Sequence, residues 1–250
     1  MTPSGGSGPR ALAAGDWLRA WEHAQSLPRA LRPCAWLAPL LDEPGGAGQA
    51  QAEALAIGRR DARLIALHAA LFGPRLQAVA DCPRCRERIE FELDAPAMRV
   101  EAPREAPVRV AHAGGWIEAR LPDSRDLLAL EACADESAAR ALLLRRCVTS
   151  SLPDDAGTAW PAELVDALSR AMAEADPQAA TELSLACSAC GHEWVEGFDI
   201  AGFVGDAFDH WAERLLDDVH ALASAYGWRE ADILALPTAR RARYLARVQG

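Results

Sequence analysis

The chain has 250 residues, a formal net charge of −10 and a composition that is half hydrophobic. That length is one large domain or two small ones, long enough to hide about 70–75% of the unfolded surface. The acid excess argues against a general nucleic-acid binder, which needs a basic face for phosphate, and no apolar run approaches the ~20 residues that cross a bilayer.

Residues 1–9 are rich in Gly, Ser and Pro and have no apolar core of a signal peptide, so they read as a disordered start. An N-terminal helical region follows over 10–75. Leu12, Trp17, Leu18 and Trp21 recur at helical spacing over 10–27, with Asp16 placed to cap. A second helix is expected over 29–41, a loop over 44–51, and a third helix over 50–71 that stops at Gly73-Pro74. His68 on that helix has no partner motif and reads as a packed or solvent-edge side chain.

The next region, 76–200, holds two Cys-x-x-Cys pairs. The first opens CPRCRERIEFELD at Cys82 and the second opens CSACGHEWVEGFDI at Cys187. In each, a thiol knuckle leads into a strand-like run and then an Asp. Between them lies an insertion, about 100–180. It contains a loop over 95–107, a hairpin over 108–122 turning at Gly114-Gly115, and a helix capped by Asp123 or Ser124. Two further helices cover 137–150 and 161–175, separated by a polar loop over 151–159 and ended by Asp176-Pro177. Residues 180–190 form a strand into the second knuckle, and 193–198 the strand out of it.

The C-terminal region, 201–250, is helical. Phe203, Ala207, Phe208, Trp211, Leu215, Val219, Leu222, Ala223 and Tyr226 make one apolar stripe. Gly227 ends that helix in a left-handed cap. A short helix over 230–236 stops at Pro237, and Thr238 caps the last one. The fold class is therefore α+β, mainly α-helical: a split ribbon with small antiparallel β elements, an inserted α/β segment and a C-terminal helical region.

Two knuckles of this form supply the four thiolates of one tetrahedral zinc site, Cys82, Cys85, Cys187 and Cys190. Three other readings compete. A thioredoxin-type redox site puts its Cys-x-x-Cys at a helix start, whereas both pairs here run into strands. A disulfide framework is at odds with only 7 cysteines, an odd count. Two separate metal sites would need extra ligands, of which His192 is the one nearby candidate. Cys34, Cys133 and Cys147 sit among Ala, Leu and Val and read as core residues. A site of four thiolates has no open position, so a single Zn2+ per chain would be structural.

No Gly-rich phosphate loop, His-Glu-x-x-His or Gly-x-Ser-x-Gly occurs in the chain, so neither an enzyme nor a small-molecule substrate is expected. His210 and His220 are separated by about 15 Å of helix, too far to share a metal. Their acidic neighbours Asp206, Asp209, Glu213, Asp217 and Asp218 read as a solvated face or a docking surface for a basic partner. Every basic residue is Arg. The cluster over 240–247 is more often a solvated face than a nucleic-acid site.

The order of segments carries a resemblance. RRDARLIALHAALFGPRL leads to CPRC; LPDSRDLLAL and a Leu-rich helix ending RRCV follow; then come LACSACGHEWVEGFDI and the closing DDVHALASAYGWREADILALPTARRARYL. This resembles the zinc-ribbon base-plate proteins of T-even-like contractile phage tails and of related phage-like injection systems, over about residues 55–248. The resemblance implies a structural or assembly component acting by contact with other tail or base-plate proteins. It would sit in the cytoplasm or in an assembled phage-tail-like particle. The residues it points to for partner contact are Tyr226, Trp228, Ile233, Arg240, Arg241 and Tyr244; internal packing of the C-terminal helices is their competing role. The alternative class is a cytoplasmic zinc-ribbon accessory factor of transcription or translation, which the net charge disfavours.

Overall fold

A computed structural model describes residues 12–41, 46–100, 107–150 and 160–248. The expected disordered start over 1–9 and the polar loop over 151–159 lie outside the described residues, as do parts of the loops expected over 44–51 and 95–107. The described chain is mainly helical, with three two-stranded antiparallel sheets. Among the described residues no helix is long and apolar enough to cross a membrane.

The first helices, α1 (Ala14–Gln25), α2 (Arg32–Leu41) and α4 (Ile57–Phe72), pack on the N-terminal half of α9 (Ile200–Tyr226), and α3 (Gly48–Glu53) packs on α2. Trp17, Trp36, Leu37, Leu64, Ile65, Val204 and Phe208 form the centre of this core. Phe208 is fully buried and stacks on Trp36 at 5.3 Å between ring centroids, with Phe72 edge-on at 5.4 Å. Gly205 makes the approach possible, because a Cβ there would stand 2.9 Å from the Trp36 indole. A second core joins β3 (Val108–His112), β4 (Gly115–Ala119), α7 (Glu136–Cys147) and α8 (Ala162–Ala175) through Val108, Ile117, Ala119, Leu144, Cys147 and Leu168.

The structure departs from the expected elements in ways that have local causes. Asp16 is not the N-cap of α1: Ala13 is, and Asp16 sits at the third helical position, where its carboxylate accepts the Ala13 N–H at 2.8 Å. A short 3-10 turn, Arg29–Leu31, precedes α2. The helix expected over 50–71 breaks between α3 and α4, because Ala56 pairs with Asp123 and the Ile57 N–H turns to the Pro122 carbonyl at 3.0 Å. The turn of the inserted hairpin is Ala113-Gly114, both at positive φ (47° and 79°), as a two-residue primed turn requires. Gly115 is already in the ladder, opposite His112. The helix expected from 161 starts at Ala162, with Pro161 as its N-cap. After α10 (Glu230–Leu234), the last helix, α11 (Thr238–Val248), starts on the Pro237 carbonyl, and Thr238 is its first residue, not its cap. Of the three cysteines assigned to the core, Cys34 and Cys147 are fully buried and Cys133 is half-buried.

Asp123 caps α6 (Ser124–Leu130), as expected. Its carboxylate accepts the N–H groups of Arg125 and Asp126, while Asp126 accepts the Asp123 N–H at 3.0 Å. Asp126 is fully buried and takes Arg120 through two bonds, at 2.6 and 2.9 Å, and Arg146 at 2.8 Å. Three charge-assisted contacts offset the cost of burying one carboxylate. They tie β4, α6 and α7 together at one point.

Candidate metal centre

Each thiol pair sits at the tip of a hairpin. β1 (Arg75–Asp81) and β2 (Arg88–Asp94) carry Cys82 and Cys85; β5 (Glu182–Ala186) and β6 (Glu193–Gly197) carry Cys187 and Cys190. β1 was not expected, since RLQAVAD has one β-branched residue and no aromatic. The two tips have the same backbone. In the first, the Cys82 N–H donates to the Glu87 carbonyl at 2.9 Å and the Arg86 N–H to the Cys82 carbonyl at 2.9 Å. In the second, the Cys187 N–H donates to the His192 carbonyl at 2.8 Å and the Gly191 N–H to the Cys187 carbonyl at 2.9 Å. The residue after the second cysteine is left-handed in both: Arg86 at φ 63° and Gly191 at φ 68°. Glycine adopts this freely; arginine does so at a cost.

The hairpins converge because both are rooted on α4. β1 leaves α4 through Gly73, at φ 101°. Leu76 is buried in the main core, with Leu93 packed against it. α5 (Ala95–Met98) follows β2 and returns to α4. The second hairpin starts from a 3-10 turn, Pro177–Ala180, also seated on α4. There the Asp176 carboxylate accepts the Gly58 N–H at 2.9 Å. A Cβ on Gly58 would lie 1.8 Å from the Asp176 Oδ1, so any larger residue must displace that carboxylate. Buried Gln178 accepts the Val100 N–H and donates to Thr181 Oγ1, both at 2.8 Å. The Phe198 N–H closes the base of the hairpin on the Thr181 carbonyl at 2.8 Å. These anchors were not picked out from the sequence. Their one signal is Gly58, a glycine inside a helical pattern, which marks a close approach.

The result is that the Sγ atoms of Cys82, Cys85, Cys187 and Cys190 all lie within 4.8 Å of one another. Cys82 and Cys190 are 3.8 Å apart across the tips, and Cys85 and Cys187 are 3.6 Å apart. Four sulfurs about 2.3 Å from a tetrahedral ion stand about 3.8 Å from each other, whereas bonded sulfurs are about 2 Å apart. All four are free thiols. The arrangement can bind a metal ion. Cys82 and Cys187 are buried, Cys190 is half-buried and Cys85 is exposed on the outer side.

Cys82 and Cys85 are shifted in opposite directions. Burial works against ionising Cys82, but the backbone N–H groups of Cys85 and Arg84 and the neighbouring thiols outweigh it and bring Cys82 down to about 7. The Glu87 backbone pulls Cys85 down. Against it, Cys190, burial, Cys187 and Cys82 together push Cys85 up to about 12. One proton leaves readily and a later one is held back, as expected of thiols in mutual contact. A cation among them removes that resistance.

His192 does not join the four. Its ring stacks on Trp194, 6.0 Å between centroids and 9° between planes, and the thiol cluster is complete without it. His68 is buried between Phe72 and Phe203, at 5.3 and 5.4 Å between centroids, and burial holds it below the usual histidine range.

The six C-terminal residues separate into two sets. Ile233 is fully buried, and Arg241 is buried in an ion pair with Asp218 at 3.2 Å, so both pack inside the chain and are corrected as surface candidates. Tyr226 stacks on Trp228 at 4.8 Å, and Tyr244 meets both edge-on at 5.8 and 4.9 Å. Tyr226 is exposed, Trp228 and Tyr244 are half-buried, and Arg240 is exposed. Compared with known protein families, curated proteins and solved structures, the chain matches none.

Proposed function

We propose that this chain is a structural or assembly component of the base plate of a contractile phage-tail-like particle, held in shape by one structural Zn2+. The observation that carries the zinc part is the closed set of four thiols on two matching knuckles, at separations that fit a tetrahedral ion. Thiolates alone favour zinc among the abundant divalent ions, and four of them leave no position for substrate or water. The ion therefore joins two hairpins that share no ladder with each other. The base-plate part rests on the resemblance of the ordered segments, above all the closing stretch from Asp217 to Leu245. In this reading the chain acts by contact. Exposed Tyr226 and Arg240, with half-buried Trp228 and Tyr244, offer an aromatic and cationic surface, the composition that interfaces favour.

The test is capture of the tagged chain from its native host, with co-purifying proteins identified by mass spectrometry. Tail-tube, sheath or base-plate proteins are the expected partners. Recovery of polymerase or ribosomal proteins in their place would overturn the base-plate reading in favour of an accessory factor. Metal analysis of the same preparation tests the other part, with one zinc per chain as the expected result.

A further inference from the structure

Two exposed charge stripes of opposite sign run along two helices with matching spacing. On α11, Arg240, Arg243 and Arg247 are all exposed. At 3.6 residues per turn they fall within about 60° of one another, over about 10 Å of helix. Among the described residues none of the three makes an ion pair; Arg247 donates only to the Arg243 carbonyl. Arg241, on the inward side of the same helix, already has its carboxylate, Asp218. On α9, Asp206, Asp209, Glu213 and Asp217 are exposed, and they fall within about 80° of one another. None of the four is in an ion pair among the described residues. Asp209 accepts two neutral donors, Trp21 Nε1 at 2.6 Å and Gln25 Nε2 at 2.9 Å.

The spacings coincide. Arg240, Arg243 and Arg247 are at i, i+3 and i+7, and so are Asp206, Asp209 and Glu213. Laid side by side and parallel, each guanidinium stands at the height of a carboxylate. Apolar surface flanks both stripes. Leu216, 41% exposed, lies about 20° outside the acidic sector of α9, while Tyr226, 39% exposed, packs on Tyr244 of α11 and Val248, 36% exposed, ends that helix. Surface ion pairs alone contribute little, so an apolar flank on each side is what makes the match a docking surface.

We propose that the chain self-associates, the basic face of α11 in one copy seating on the acidic face of α9 in a second copy. Each copy carries both halves, so the contact either closes as a symmetric pair or continues head to tail into a ring or row. The inference does not depend on the base-plate reading.

Sedimentation velocity on the full chain over a concentration series tests it. Wild type is expected to associate at low ionic strength. Its dissociation constant should rise at least tenfold in about 1 M salt, where the Debye length is about 3 Å. The Arg240→Glu, Arg243→Glu, Arg247→Glu variant should be monomeric, and so should Asp206→Arg, Glu213→Arg, Asp217→Arg. An equimolar mixture of the two should associate again. All six side chains are exposed, and circular dichroism checks that both variants fold; the single exchanges Arg240→Glu and Asp206→Arg are the milder pair. A wild-type chain that stays monomeric at low salt, a reversal that leaves association unchanged, or a mixture that stays apart overturns the proposal. So does a monomer that binds duplex DNA through the same three arginines.

Discussion

Gly58 is a small residue with a long reach. It sits in the first turn of α4, and the Asp176 carboxylate lies where its Cβ would be. Its N–H holds that carboxylate, and the 3-10 turn that follows Asp176 is the base of the second knuckle. Gly58→Ala should therefore cost roughly 1–3 kcal/mol, the range for forcing extra volume into a packed site. It should also weaken metal binding, because the turn must shift to admit the methyl group and the Cys187–Cys190 pair moves with it. Thermal melts with and without chelator separate the two effects. A variant destabilised equally in both conditions would leave the site independent of this anchor. Arg86 and Gly191 make a related point at the knuckles: the same left-handed position is filled once by a residue suited to it and once by one that is not.

At the level of elements, the junction of β4, α6 and α7 depends on the charge of Asp126. Burial pushes its carboxyl up, but the Arg120 fork, the Asp123 N–H and Arg146 outweigh that and hold it at about 2. A carboxyl depressed in the folded chain contributes stability that is present above its unfolded value and lost as pH falls through the folded value. The expected loss is of order 1–2 kcal/mol between about pH 4 and 2, after allowing for screening by solvent. Asp126→Asn should remove that acid-dependent step and lower stability at neutral pH by about 3 kcal/mol, since two guanidinium groups lose their shared partner. Unfolding curves across pH for the two chains check both; an unchanged acid limb in the variant would assign the step elsewhere. The Asp123 cap was legible because Pro-Asp-Ser before a Leu-rich run states a helix start, and the long helix α9 and its Gly227 cap were legible from the apolar stripe. The break between α3 and α4 was not, because its cause is the Pro122 carbonyl, far away in sequence. Nor was β1: its ladder partner β2 supplies the Ile and Phe that RLQAVAD lacks. The four cysteines were legible as a set from their repeated context. The burial of Ile233 was not, because its five-residue helix shows no periodicity that fixes an inward face, nor was that of Arg241, whose partner Asp218 lies on another helix.

On the scale of the whole molecule, the four-thiol cluster and the main core lie apart. The core of α1, α2, α4 and α9 is closed around Trp36 and Phe208 and includes none of the four thiols. The knuckles are two-stranded hairpins, each paired only within itself. Such hairpins are marginal alone, and their tips meet through the cysteines. An ion held by all four stabilises the folded chain by mass action, about 4 kcal/mol when free metal is a thousandfold above its dissociation constant. That stabilisation falls on the part of the fold with the least support of its own. Removing the metal should therefore loosen Arg75–Asp94 and Glu182–Gly197 and leave α4 and α9 protected. Hydrogen exchange read by mass spectrometry, with zinc and with chelator, gives the pattern directly. Cys82→Ser and Cys187→Ser should each reproduce the chelated pattern, since either leaves one knuckle with a single thiolate. Binding displaces thiol protons, so the protection of the two hairpins should also fade as pH drops, while that of α9 persists. Loss of protection across the entire chain on chelation would mean that the ion holds the core as well, and unchanged exchange at the hairpins would mean that packing on α4 suffices without it.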